Sequence, residues 1–391
     1  MRHRGWVNLG VCGRFHFHNY APYLAEWEVL NRFYYSHRIG PQLFPTRPGV
    51  GVNLWGKEYL MRASARLFGE APTQRLLPSL HDWWEAGVLR SWTPAPLWHL
   101  LLHGTARRIL RRGKAEGSVL LGEAVNAHPR ALAALLQEEE DRLGFASGDK
   151  VRSGNERLLE ELESVDHLLI ASRWLKRSFL QNGFPEERIH LLPYGVNLAR
   201  FTPGSRERPV RAPFRVLCVA HISPRKGHID LLEAWRLLGL PDAELLLIGT
   251  MSEPMRRALR RYEGQYKHIP FIANGELPCY YRSASVFVLP SIEDGFGVVC
   301  LEAMACGLPV IVTENTGAAD MIVPKSTGFV VPIRSPERIG EALESLYRDR
   351  TLLARMGEEA AREAKRAFGW ENYARLLGEA YGRLMGGATQ G

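Results

Sequence analysis

Short apolar runs alternate with helical stretches along most of this chain, and that rhythm limits the fold more than any single residue does. In the first half, the runs at 6–12, 98–104, 118–124 and 166–172 read as strands. The helical patterns are one holding Leu24, Trp27 and Leu30, patches near 56–69 and 79–90, and stretches at 106–112, 128–143, 155–165 and 174–182. Between 40 and 100 the chain is rich in Pro, Gly and Trp, and the order of elements there stays open. The rhythm restarts with strands at 214–220, 243–249, 268–273, 285–290, 309–314 and 328–332, and helices at 227–238, 253–263, 276–283 and 298–306. Short strands that are apolar throughout are buried on both faces, and helical connections between them make the sheets parallel. The two runs meet at FTPGSRERPVRAPF (201–214), where three prolines and a glycine break the pattern and mark an interdomain linker. From 336 onward the pattern is helical, and Ser335 is placed to cap a helix that carries Pro at its first position. The last helix, about 370–384, gathers Tyr373, Leu376, Leu377 and Tyr381 on one side and needs a surface to cover them.

Length and composition agree with two globular units. A chain of 391 residues exceeds one ordinary α/β core, and 46% hydrophobic with 24% charged residues excludes a disordered or collagen-like chain. The net charge of +8 lies mostly in the first 200 residues, which suits steering of an anionic ligand or contact with an anionic membrane. No nucleic-acid-binding signature accompanies it, so a nucleic-acid partner is not expected. The bias of the basic residues towards arginine suits bidentate phosphate contacts and equally fits a general compositional preference. Five cysteines without a CxxC pair read as reduced, buried thiols of a cytosolic protein. The start of the chain lacks the apolar core of a leader, and no run reaches the roughly 18–20 residues of a membrane span. The expected location is the cytoplasm, with peripheral contact at the inner membrane face left open.

The segment PSIEDGFGVVCLEAMACGLPVIVTENTGAAD (290–320) carries most of the chemistry. A strand ending at Pro290 delivers its loop to the carboxyl edge of a parallel sheet, where open α/β folds bind ligands. Gly295 and Gly297 let backbone pass close to a ligand and leave room for hydroxyls. The helix that follows offers unpaired N–H groups and a positive dipole end to a phosphate. This segment resembles the signature of glycosyltransferase family 4, the retaining enzymes of GT-B fold: an acidic residue, a GFG or SFG turn, then a second Glu eight positions after the first. The match runs over most of 166–332 and is weak over the N-terminal half.

The resemblance implies α/β architecture with two facing Rossmann-like domains. An N-terminal, acceptor-binding domain would span 1–200 and a nucleotide-sugar-binding domain 201–368, with a helix over 369–391 packing back on the first. It implies that Glu302 binds ribose hydroxyls, that Asp294 holds donor-sugar hydroxyls, and that Phe296 lies in the same binding turn. The family usually carries Glu where Asp294 stands, so reach shortens by about 1.5 Å; recruitment of Glu293 is the alternative. In AHISPRKGHIDLLEAW (220–235), Lys226 and Gly227 match the family's Lys-Gly pair, and His221 replaces its usual Arg. Arg225 remains available, and Arg225 and Lys226 would neutralise the departing diphosphate. His221 is then either a hydrogen-bonding group or a structural turn residue. Thr316 and Gly317 would border the pyrophosphate. Tyr280 and Tyr281 are expected to pack.

In the N-terminal half, Gly13 occupies the family's glycine-loop position, and Arg14 and His16 either reach the cleft or buttress the loop. His128 holds the place of the family's active-site histidine near the donor sugar, and His103 is a second histidine at a strand end; for each the alternative is a structural histidine with its hydrogen bonds satisfied. Arg173 either faces the cleft or makes an interdomain pair. Asn197, standing for the family's Asp, is expected to affect local structure. Trp83, Trp84, Trp92 and Trp98 read mostly as core, with stacking on sugar rings or contact with lipid headgroups the alternative, and the helix with Arg107, Arg108, Arg111 and Arg112 is a candidate membrane-facing patch.

The implied reaction is metal-independent transfer of a hexose, with retention, from a nucleoside diphosphate sugar to a glycan or lipid-linked sugar acceptor. The nucleotide sugar is a substrate, and no cofactor or metal is implied. The alternatives are a catalytically degenerate GT-B binding subunit and a nucleotide-sugar epimerase. No GxGxxG follows either first strand, which disfavours an NAD-dependent oxidoreductase.

Overall fold

The computed structural model describes residues 5–37, 49–68, 70–146, 155–204 and 213–387. Two sheets organise it. The first contains β1 (Val7–Val11), β2 (Leu30–Tyr35), β3 (Gly51–Asn53), β4 (Leu97–Leu101), β5 (Val119–Ala124), β6 (His167–Ile170) and β7 (Ile189–Leu191), in the order β3-β2-β1-β4-β5-β6-β7. Its helices are α1 (Phe17–Glu26), α2 (Gly56–Phe68), α3 (Glu70–Arg90), α4 (Arg107–Ala115), α5 (Pro129–Leu143), α6 (Asn155–Ser164) and α7 (Arg173–Gln181). The second contains β8 (Phe214–Val219), β9 (Ala243–Ile248), β10 (Lys267–Ile269), β11 (Val286–Leu289), β12 (Val310–Thr313) and β13 (Gly328–Val331), ordered β10-β9-β8-β11-β12-β13. With it go α8 (His228–Leu238), α9 (Glu253–Ala258), α10 (Leu277–Ser283) and α11 (Val298–Ala305). The chain ends in α12 (Pro336–Arg348), α13 (Arg350–Ala367) and α14 (Trp370–Gly387). The strand pairs described are parallel, as the buried apolar runs required.

One helix ends earlier than its periodicity predicts. α1 stops at Glu26, and Leu30 opens β2, paired with Val7. Glu28 has φ +62°, a left-handed turn that no helix continues through. β2 and β3 fall in or beside the region the sequence left unordered, and β7, only three residues long, gave no apolar run to read. The proposed linker lies partly outside the described residues, at 205–212. Ser335 precedes α12, but its hydroxyl donates to the Ile333 carbonyl rather than capping the helix.

Each sheet is covered on both faces. One buried cluster fills the outer face of each domain, and a third runs through both, joined by the residues between them and by α14. α14 returns to the first domain and packs on α1: Tyr373 meets Tyr20 with ring centroids 5.1 Å apart, and the Tyr381 hydroxyl lies 2.6 Å from His99 Nδ1. The apolar side of that last helix thus finds its partner surface. Of the cysteines, Cys12, Cys218, Cys300 and Cys306 are buried thiols, whereas Cys279 is exposed, against expectation, on the outer side of α10. Among the described residues, no helix is long and apolar enough to cross a membrane.

Candidate functional site

In the second sheet the strand order reverses between β8 and β11, which opens a crevice at the carboxyl ends of those two strands. The loops leaving them form one unit. Gly227 has φ +65°, and a Cβ there would strike the Pro290 carbonyl, so only glycine lets the β8 loop lie against the β11 loop. The Ile292 N–H donates to the Arg225 carbonyl at 2.9 Å. This contact brings two cations onto two carboxylates: Lys226 Nζ is 2.5 Å from Asp294 Oδ2, and Arg225 Nη1 is 2.8 Å from Glu293 Oε2. Burial favours the neutral acid at Asp294, but Lys226 and then Arg225 outweigh it and hold the carboxyl below its usual range. Adjacent in sequence, Glu293 and Asp294 diverge. Glu293 is fully buried and also accepts from the Ala127 N–H at 3.0 Å, while Asp294 stays partly exposed beside Lys226.

Gly297, at φ +77°, turns the chain into α11, which carries Glu302. The Tyr281 hydroxyl donates to Glu302 Oε2 at 2.9 Å. Burial pushes the Glu302 carboxyl up to about 7, with Tyr281 and Arg200 opposing. The Cys300 thiol is pushed up by burial and next by Asp294.

The first domain closes over this turn. A Cβ on Gly295 would strike the Val125 carbonyl, and the Ser172 hydroxyl donates to the Gly295 carbonyl at 2.8 Å. The freedom of Gly295 therefore serves the approach of the other domain, where the sequence pointed to room for a ligand. Phe296 is buried edge-on against Tyr194, with centroids 5.0 Å apart. Gly317 donates to the Asp294 carbonyl at 2.9 Å and lies against the Gly295 backbone; the buried Thr316 hydroxyl sits 3.0 Å from that of Thr313. In this structure Phe296, Thr316 and Gly317 shape the turn from behind.

His128 caps α5, its Nδ1 accepting from the Arg130 N–H at 3.3 Å, and burial followed by Arg130 pushes it down to about 4. It is a neutral imidazole beside the loop that covers Gly295. His221 is exposed, with Nδ1 2.8 Å from the Thr250 hydroxyl. Gly13, at φ +137°, bends the first loop, and Arg14 is exposed on it. His103 lies under that loop against Phe15, with centroids 5.0 Å apart, and burial pushes it down to about 4. Arg173 meets the other domain through its backbone, its N–H donating to Asp320 Oδ2 at 2.6 Å. Asn197 accepts from the Ala199 and Arg200 N–H groups, a local turn as expected.

Sequence reasoning missed Glu123. It is fully buried on β5, where His16 Nε2 is 2.5 Å from Oε1, the Tyr194 hydroxyl 2.6 Å from the same oxygen, and His99 Nε2 2.9 Å from Oε2. Burial favours its neutral form, but His16 and then His99 hold it well below the usual carboxylate range. His16 thus buttresses the first loop. Across the domains, Arg142 of α5 makes a two-pronged contact with Asp230 of α8 at 2.8 and 3.1 Å. The signal for Glu123 was a charged residue inside an apolar run; its partners lie too far off in sequence to be read.

A profile of the family described as glycosyl transferases group 1 matches residues 206–363. The D-inositol 3-phosphate glycosyltransferase of Paenarthrobacter aurescens is 33% identical over 217 residues, covering 51% of this chain and 53% of that one. The GDP-mannose-dependent alpha-(1-6)-phosphatidylinositol monomannoside mannosyltransferase of Mycobacterium tuberculosis is 28% identical over 239 residues, covering 56% of this chain and 62% of that one. The chain thus spans about half the length of the first curated relatives it matches, 53% and 51%. Among solved structures, the sucrose-phosphate synthase of Thermosynechococcus elongatus superposes with a TM-score of 0.68 at 19% identity, covering 98% of this chain and 100% of that one; at that identity the likeness is one of fold.

Proposed function

We propose, from the premise that this is a GT-B chain whose second domain belongs to the glycosyl transferases group 1 family, that it transfers a hexose from a nucleoside diphosphate sugar, with retention, to a glycan or lipid-linked acceptor. The observation that carries this reading is the pairing of Lys226 with Asp294 at 2.5 Å, at the sheet's switch point and on the loop that leads into α11, the helix that carries Glu302.

In this reading the domains over 1–200 and 201–368 hold acceptor and donor, and the segment 369–391 ties them together. The diphosphate enters beside Arg225 and Lys226 and draws Lys226 away from Asp294. Asp294 then accepts from the sugar hydroxyls, and Glu302 from the ribose. As the bond from the anomeric carbon to the phosphate oxygen breaks, negative charge grows on the leaving group, and the two fixed cations stabilise it. The acceptor hydroxyl attacks on the same face and gives its proton to the departing phosphate oxygen. His128, neutral at pH 7, is a hydrogen-bonding partner for a donor hydroxyl. Contact of Ala127 and Val125 with Glu293 and Gly295 excludes water from the reacting carbon. The expected setting is the cytoplasm.

The two named relatives act on inositol 3-phosphate and on a phosphatidylinositol mannoside, so polyol phosphates and their lipids head the acceptor panel. Calorimetric titration of UDP-glucose, GDP-mannose and related donors, followed by sugar-release assays with and without acceptors, tests the proposal. Binding of one donor, lost in Glu302→Ala and Lys226→Ala, is expected. Failure of every donor to bind, or donor hydrolysis unaffected by both substitutions, sinks it.

A further inference from the structure

Away from the donor turn, the two domains also meet through charge. Glu139 and Arg142 stand on α5, a helix of the first sheet, and both reach the second domain. Arg142 Nη1 and Nη2 lie 2.8 and 3.1 Å from the two oxygens of Asp230, and Nη2 lies 2.6 Å from Glu139 Oε1. Arg334 comes from the other side: its Nε is 3.0 Å from Glu139 Oε2 and its Nη1 3.0 Å from Glu138. Each domain supplies one arginine, and Glu139 receives both. Glu139 and Asp230 are 1% and 2% exposed, so parting the domains would uncover both acids and take Asp230 from Arg142.

Two further observations belong to this contact. Arg334, in the turn between β13 and α12, has φ +55°, a left-handed backbone that a residue other than glycine adopts at a cost. Its guanidinium is held by the two acids and donates to the Leu135 carbonyl at 3.4 Å. Beside the charges, Leu143 at the end of α5 and Phe145 just beyond it pack on the buried cluster of the second domain that contains Ile229 and Leu232 of α8.

These contacts bear on the donor turn through α5 itself. His128 caps the start of that helix, and Ala127 and Val125 before it touch Glu293 and Gly295. At 1.5 Å per residue, Arg142 lies about 20 Å along the helix from His128. A rigid helix pinned at both ends does not tilt without breaking one of the two contacts. Asp230 stands in the first turn of α8, four residues after Lys226. The contact therefore fixes where His128 stands relative to the turn that carries Lys226.

We propose that Glu139, Arg142, Asp230 and Arg334 form a latch that holds the two domains closed and sets His128 against the donor turn, as positioning residues that touch no substrate. The consequence for turnover rests on the transferase reading; the latch itself does not.

Small-angle scattering and steady-state kinetics of the full chain test it. Arg334→Gly removes the guanidinium while glycine takes the left-handed backbone freely, so its thermal midpoint should change little. Without nucleotide, Arg334→Gly and Asp230→Asn should both shift to a larger radius of gyration than the wild type. With donor and acceptor, each should lower kcat by about 10–100-fold. Nucleotide affinity, whose proposed contacts all lie in the second domain, should stay near wild type. Arg142→Lys keeps the charge and loses the two-pronged contact, and should fall between. If Asp230→Asn fails to fold, Arg334→Gly decides alone. An unchanged radius in folded Arg334→Gly overturns the latch, and an enlarged radius with wild-type kcat overturns the positioning of His128. A wild type that binds no nucleotide, with the scattering shift still present, removes the transferase reading and leaves the latch standing.

Discussion

The two sheets share a strand order up to the sixth strand but use their switch points differently. In the second domain, the crevice between β8 and β11 is lined by charges that are near neighbours in sequence: Arg225 with Lys226, and Glu293 with Asp294. In the first, the polar centre is Glu123, whose partners His16, His99 and Tyr194 come from three separate segments, with Tyr381 behind His99. The second arrangement leaves Asp294 partly exposed and its cation displaceable by a ligand; the first is sealed. The same physics, a carboxylate facing a cation or imidazole, thus leaves a pair open to exchange where solvent reaches it and seals the architecture where it does not.

Substitutions at the two centres sharpen that contrast. The largest expected effect is on stability. Glu123→Ala leaves two buried imidazoles without their acid and should cost about 3–5 kcal/mol in urea unfolding, with activity per folded molecule near wild type. Because the folded state holds Glu123 well below its unfolded value of about 4.3, its contribution is full above that pH and fades as pH falls towards the folded value. Acid unfolding of Glu123→Gln should accordingly be less steep than that of the wild type. Next, Lys226→Ala should lower kcat by about 10²–10³ with a much smaller change in unfolding midpoint. A stable Glu123 variant that is inactive, or a Lys226 variant that loses stability while keeping the wild-type kcat, would break the contrast.

Glu302 gives a smaller, pH-resolved effect. Burial lifts its free-state value to about 7. In the proposed reading, ribose hydroxyls donating to the carboxylate favour its ionised form, so nucleotide binding is expected to release a proton. Affinity should rise by up to about tenfold per pH unit below 7 and level off above it, and Glu302→Gln should remove the dependence. Smallest is Tyr281→Phe, which deletes one donor to Glu302, worth about 1–2 kcal/mol, and should move the midpoint of that affinity profile upward.

Much of the second domain was legible in the sequence, because its elements are continuous apolar runs and its candidate site residues sit at fixed short offsets after strands β8 and β11. Lys226 meeting Asp294 is a long-range contact, yet each residue announces itself locally. The first domain withheld more. β2 begins where a left-handed Glu28 cuts a helix that periodicity would have continued to Leu30. Glu123, Glu293 and Tyr281 take their meaning from partners 20 to well over 100 residues away, which spacing does not reveal. Phe296 and Gly317, which the resemblance placed at the ligand, also meet the first domain at Tyr194 and Ser172, while Thr316 bonds to Thr313 within its own domain; these long-range contacts are not readable from spacing.

The account stands on where a nucleoside diphosphate sits, and a crystal structure of the protein soaked with the nucleotide it binds best locates it directly. The diphosphate is expected between Arg225 and Lys226, with Lys226 drawn off Asp294 and the ribose hydroxyls on Glu302. A nucleotide bound elsewhere, with the Lys226–Asp294 pair intact at 2.5 Å, would contradict it.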